Sequence, residues 1–78
     1  MTASTATLLE DALRQIAGVD AHPTSMTVDY GSSVAPSASK AWIERSTRSL
    51  IFAQAEARAE DGSLVAAASA VFRRVTSV

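Results

Sequence analysis

The chain has 78 residues, a formal net charge of −1 and no cysteine, which bounds it to one small domain and excludes disulfides and thiolate metal sites. Its longest apolar run is far short of the roughly 20 residues that cross a bilayer, and no signal-peptide pattern opens it, so a cytoplasmic setting without a membrane partner is expected. The seven basic residues are scattered along the sequence, which predicts no nucleic-acid partner.

Aromatic residues are confined to Tyr30, Trp42, Phe52 and Phe72, while alanine is abundant. A core of this composition depends on close approach of backbones. With so little bulk to bury, an isolated monomer is marginal, and a partner surface is expected.

Residues 2–17 predict a helix. Thr2, Ser4 and Thr5 offer N-caps, Leu9, Ala12, Leu13 and Ile16 recur at the spacing of one apolar stripe, and Gly18 ends the pattern. His22-Pro23 falls in the following connection. Residues 24–30 alternate, with Met26 and Val28 against Thr27 and Asp29, as a half-buried strand does. Gly31 to Ser39, rich in serine and containing Pro36, reads as a loop.

Residues 40–45 form a short strand candidate with Ala41 and Ile43 opposite Trp42 and Glu44. A turn near Ser46-Thr47 leads into a strand over 49–59, where Ile51, Ala53, Ala55 and Ala57 share one face. Asp61-Gly62 is a strong hairpin signal, and residues 63–75 form the last strand, apolar on most of both faces. The competing reading is a helical hairpin, because Ala, Glu, Gln and Arg dominate Ala53 to Glu60. Against it stand the Asp-Gly turn and the β-branched and aromatic residues at the strand ends.

The run Leu50-Ile51-Phe52-Ala53-Gln54-Ala55-Glu56-Ala57-Arg58, then Glu60-Asp61-Gly62-Ser63-Leu64-Val65-Ala66, closed by Phe72-Arg73, resembles the C-terminal hairpin of hotdog-fold acyl-CoA thioesterases of the phenylacetate-pathway and hydroxybenzoyl-CoA types. Met26-Thr27-Val28-Asp29-Tyr30 with Pro36 beyond is similar to that family's second strand and proline loop, and Thr7-Leu8-Leu9-Glu10-Asp11-Ala12-Leu13 to the start of its central helix. The resemblance runs across nearly the whole chain and rests on order and spacing rather than on one diagnostic motif.

It implies an α+β, hotdog-like domain over 1–78, in which one central N-terminal helix lies against a curved antiparallel sheet of about four strands. It further implies a homodimer or homotetramer with active sites between subunits, and hydrolysis of an acyl-CoA thioester, coenzyme A entering as part of the substrate and no other cofactor being needed. Glu10 falls where the family carries its catalytic carboxylate, as general base or nucleophile. Its alternative is a solvated Glu10 to Arg14 pair at i, i+4. Ser46, Thr47 and Arg48 fall where the family's turn lies near the coenzyme A phosphates, with a solvated turn as the alternative.

One departure precedes the helix. Family members carry an upstream strand and a glycine-rich loop with a His or Asn that supplies the carbonyl-binding amide, whereas Thr2 and Ala3 stand here, so the resemblance is to an N-terminally shortened member. The alternative function is therefore a non-catalytic, truncated hotdog subunit that serves assembly or acyl-CoA binding only. His22 has no nearby partner to make a metal site and reads as a loop residue, and Ser32, Ser33, Ser37 and Ser39 read as loop solvation.

Overall fold

A computed structural model describes residues 4–75. One helix is followed by four strands, and all four pair antiparallel in one sheet.

The helix α1 (Thr5–Ala17) begins where Ser4 Oγ accepts a hydrogen bond from the Thr7 N–H at 3.1 Å, satisfying one of the donors that a helix start leaves unpaired. It thus starts later than residue 2; Thr2 and Ala3 lie outside the described residues. At the other end the Gly18 N–H donates to the Arg14 carbonyl at 3.0 Å. Leu9 and Leu13 are fully buried on one side of α1, with Ile16 and Ala17 beside them, whereas Asp11 is exposed.

The strands are β1 (Ala21–Tyr30), β2 (Ala38–Ser46), β3 (Leu50–Arg58) and β4 (Leu64–Arg74), in the sheet order β1-β4-β3-β2. Two hairpins place β2, β3 and β4 side by side. The connection from β1 to β2 must then carry the chain from one edge of the sheet to the other. It does so past the β3–β4 loop, where Gly31 and Ser32 N–H groups both donate to the Val65 carbonyl at 2.8 and 3.1 Å and Ser37 N–H donates to the Arg58 carbonyl at 2.8 Å.

The strand β1 opens three residues earlier than the alternation indicates, so His22 and Pro23 belong to it and not to a connection. Proline is tolerated because β1 is an edge strand and the pairing slips between Pro23 and Ser25, leaving Thr24 as an extra residue. Similar slips occur between Ile43 and Arg45 in β2 and opposite Ala57 and Arg58, where Val65 is the extra residue of β4. Such bulges bend and twist a sheet, which here curves around the helix. The remaining strands begin and end within two residues of the expected positions.

One face of the sheet receives the helix. Ile51, Ala53, Ala55 and Ala57 of β3 and Ala66, Ala68, Ala70 and Phe72 of β4 form a single buried cluster with Leu9 and Leu13. Met26 and Val28 of β1 and Ala41 of β2 close its sides. Alanine at nearly every central inward position leaves room for the two leucines to seat against the backbone, and this gives the composition its structural purpose. The helical-hairpin alternative is thereby excluded. Among the described residues no element covers the opposite face: Ser69 is exposed, Ala67 and Val71 are only half-buried, and β4 is not buried on both faces as its apolar sequence suggests.

The Asp61-Gly62 hairpin forms as expected. Gly62 has φ +90°, a conformation that costs an L side chain energy, and its N–H donates to the Ala59 carbonyl at 2.9 Å. Asp61 Oδ1 accepts from the Ser63 N–H at 2.9 Å and from the Ser63 hydroxyl at 2.7 Å. Those two bonds stabilise the ionised carboxylate, so the Asp61 pKa is held below its ordinary value.

Candidate functional site

Glu10 sits midway along α1 at the border of the buried stripe, half-buried as its angular position predicts. Its carboxylate accepts a hydrogen bond from Arg14 Nε at 2.8 Å, the pair that i, i+4 spacing permits. Both partners stay open to water, with Arg14 52% and Glu10 42% exposed. Glu10 also lines an open cleft of about 240 Å³ between the helix and the β1–β4 edge of the sheet. Pro23, Met26, Ala70 and Phe72 make the cleft apolar, and Thr24 and Ser25 add hydroxyls at its border. The Thr24 hydroxyl is engaged, donating to the Val71 carbonyl at 3.0 Å. A carboxylate on a residue that lines an apolar cleft can accept a proton from a water or a substrate held there.

Ser46 ends β2, and Thr47 and Arg48 lie in the turn to β3. That turn is tightly built: the Thr47 N–H donates to the Leu50 carbonyl at 2.7 Å, and the Leu50 N–H donates to Thr47 Oγ1 at 3.0 Å. Arg74 fastens it from β4, its Nε donating to the Thr47 carbonyl at 3.2 Å and its N–H to the Ser49 carbonyl at 2.9 Å. Thr47 therefore spends its hydroxyl on the turn itself. The cleft beside Glu10 includes none of Ser46, Thr47 and Arg48, because β1 and β2 are opposite edges of the sheet.

The sheet brings together residues that are far apart in sequence. Leu50 pairs with Arg73, Ala21 with Arg74, and Phe52 with Arg45, so Arg45, Arg48, Arg73 and Arg74 gather at one end. Four of the seven basic residues thus converge, and the scattered distribution read from the chain does not survive folding. Among the described residues none of the four is ion-paired; the two ion pairs are Arg14 with Glu10 and Arg58 with Glu56. The far end of the sheet is acidic, with Asp29 and Glu56 in one row and Glu60 and Asp61 in the hairpin loop. There the Arg58 hydrogen bond, followed by the charges of Arg58 and Lys40, holds the Glu56 pKa below its ordinary value, although desolvation opposes the shift.

Trp42 lies half-buried on the uncovered face of the sheet, its Nε1 donating to Glu44 at 2.9 Å and Lys40 Nζ lying 5.7 Å from its ring centre. His22 is exposed at the start of β1. Among the described residues no group of three or more His, Asp or Glu side chains is arranged to hold a metal ion, and no helix is long and apolar enough to cross a membrane.

Of the residues that surround Glu10, Met26 was legible from its alternation. Pro23 and Phe72 were not, because only the β1–β4 pairing sets them opposite each other. Compared with known protein-family models, with curated proteins and with solved structures, the chain matches none.

Proposed function

We propose that this chain is a hotdog-like subunit that hydrolyses an acyl-CoA thioester, with Glu10 as the general base or nucleophile. The observation that carries the reading is that Glu10 lines the cleft whose apolar part is formed by Pro23, Met26, Ala70 and Phe72. An acyl chain would lie against those side chains while Glu10 activates water toward the thioester carbon. Ser46, Thr47 and Arg48 would contact coenzyme A, and since they stand away from Glu10 within one chain, the reading requires a second copy to bring its turn to this cleft. A homodimer or homotetramer is accordingly part of the proposal. Its support is that neither sheet edge, β1 or β2, has a strand paired to its outer side among the described residues. A cytoplasmic setting completes it, in keeping with the cysteine-free composition.

The Glu10 to Arg14 bond favours a second reading, in which the carboxylate serves only the helix surface and the chain is a non-catalytic subunit for assembly or acyl-CoA binding. Hydrolysis of a panel of acyl-CoA thioesters by the parent chain and by Glu10→Gln separates the two. Loss of a general base lowers the rate by roughly 10²–10⁴-fold. Equal rates in both proteins, or no hydrolysis by either, would leave the second reading in place.

A further inference from the structure

We propose that the face of the sheet opposite the helix docks a second copy of this chain, seated with its strands reversed so that the arginine end of each copy covers the acidic end of the other. Register sets the outward side chains of that face in rows across the four strands. Ser25, Val71, Phe52 and Arg45 form one row, Thr27, Ser69, Gln54 and Trp42 the middle one, and Asp29, Ala67, Glu56 and Lys40 the next. Arg73 lies beyond the first of these, and Glu60 and Asp61 lie in the hairpin loop beyond the last. Arg45, Arg73, Asp29 and Glu60 are exposed, and none has an ion-pair partner among the described residues. A face with unpaired cations at one end, unpaired anions at the other and a neutral row between them is complementary to itself.

A two-fold axis lying across the strands at the middle row produces this seating. The hydroxyls of Thr27 and Ser69 and the amide of Gln54, which both donate and accept, then meet their own counterparts, and the row of Val71 meets the row of Ala67. Arg45 approaches the second copy's Lys40, but Glu44 beside the one and Glu56 beside the other supply the opposite charge. Arg58, also at the acidic end, is engaged by Glu56 and by the Gly62 carbonyl. An axis along the strands would instead stack arginines on arginines, which like charges oppose. The face also carries an open depression of about 440 Å³ floored by Phe52 and Val71, which gives room to side chains of a sheet packed about 10 Å away. Four strands about 4.8 Å apart and nine residues of about 3.3 Å each span roughly 19 by 30 Å. Covering most of that on both copies removes about 1,000 Å² from water, the area that a specific interface needs. The inference goes beyond the thioester reading and uses neither Glu10 nor the cleft on the helix side.

Sedimentation equilibrium of the full chain tests it, with variants checked for folding by circular dichroism. Arg45→Glu/Arg73→Glu makes both ends acidic, and Asp29→Lys/Glu60→Lys makes both basic. Each is expected to lose at least about tenfold in self-association. An equimolar mixture of the two is expected to form a 1:1 complex, because every end then faces its opposite, and added salt should weaken it. Ser69→Arg, an exposed position in the middle row, is expected to halve the mass of the parent assembly and to block the mixed complex when placed in both variants. It also supplies the test should either charge variant fail to fold. The proposal is overturned by a parent chain that stays monomeric at millimolar concentration, by a mass that Ser69→Arg leaves unchanged, or by charge variants that associate alone as well as together. Thioester hydrolysis with a mass unmoved by Ser69→Arg defeats only this proposal, whereas association through this face by a chain that hydrolyses no thioester defeats only the catalytic one.

Discussion

Glu10 and Arg14 stand one helical turn apart on α1, joined by a 2.8 Å hydrogen bond that leaves both side chains about half exposed. In that setting the pair contributes about 0.3–0.5 kcal/mol to the helix. Arg14→Gln is therefore expected to change unfolding free energy by less than about 0.5 kcal/mol, as read by urea denaturation. It also releases the carboxylate, so under the proposed thioesterase reading hydrolysis by the variant should equal or exceed that of the parent. A loss as large as that of Glu10→Gln would instead assign Arg14 to substrate contact.

The alanine layer under α1 makes a second expectation. Ala55 is 1% exposed and belongs to the same cluster as Leu13, which is fully buried. Ala55→Leu forces added volume between sheet and helix at a cost of about 1–3 kcal/mol. Leu13→Ala leaves a cavity and costs about 2–5 kcal/mol. In a domain this small such losses approach the whole stability, so Leu13→Ala should be largely unfolded by circular dichroism. A cooperative, parent-like urea transition for both variants would contradict the packing described.

At the hairpin, Gly62 has φ +90° and nothing within 4 Å of an added Cβ. The cost of Gly62→Ala is thus backbone strain alone, about 1 kcal/mol. A lowered melting temperature with an unchanged denaturant slope is expected. No change in stability would mean that the loop adopts another conformation.

Asp61 links the same loop to pH. Its pKa is lowered in the fold by the Ser63 hydroxyl and N–H bonds, so the ionised form favours the folded state. The contribution is complete above the ordinary value of 3.8 and fades as pH falls below it through the lowered folded value. Carboxyl carbon NMR titration should find the Asp61 midpoint below 3.8 in the parent and closer to it in Ser63→Ala. An identical midpoint in the two proteins would remove Ser63 as the cause.

Local chemistry made much of this fold legible. Ser4 and Gly18 mark a helix by the way backbone donors and acceptors are satisfied, and the alternation of Ile51, Ala53, Ala55 and Ala57 selects a strand with one buried face despite the helix preference of alanine. Where the reading failed, a neighbour had overridden a local signal. Pro23 argued for a connection, yet an edge position with a bulge accepts it. The apolar outward side of β4 argued for burial, yet no element among the described residues covers it.

Glu10 was singled out by its place in the run Leu8-Leu9-Glu10-Asp11-Ala12, which resembles the family's central helix, and helical geometry sets it at the border of the apolar stripe. The chain could not show that Pro23 and Phe72 would flank it, or that Arg45, Arg48 and Arg73 would share one end of the sheet. Those relationships depend on strand order and register, and the order β1-β4-β3-β2 joins residues some fifty positions apart. Periodicity along the chain therefore determined the order and type of the elements and the buried faces of α1 and β3, since each follows from bonding within a few residues, but not which face of β4 is covered. Only the pairing of β1 with β4 and of β3 with its two neighbours decided which charges converge and what lines the cleft beside Glu10, because those contacts are made across space.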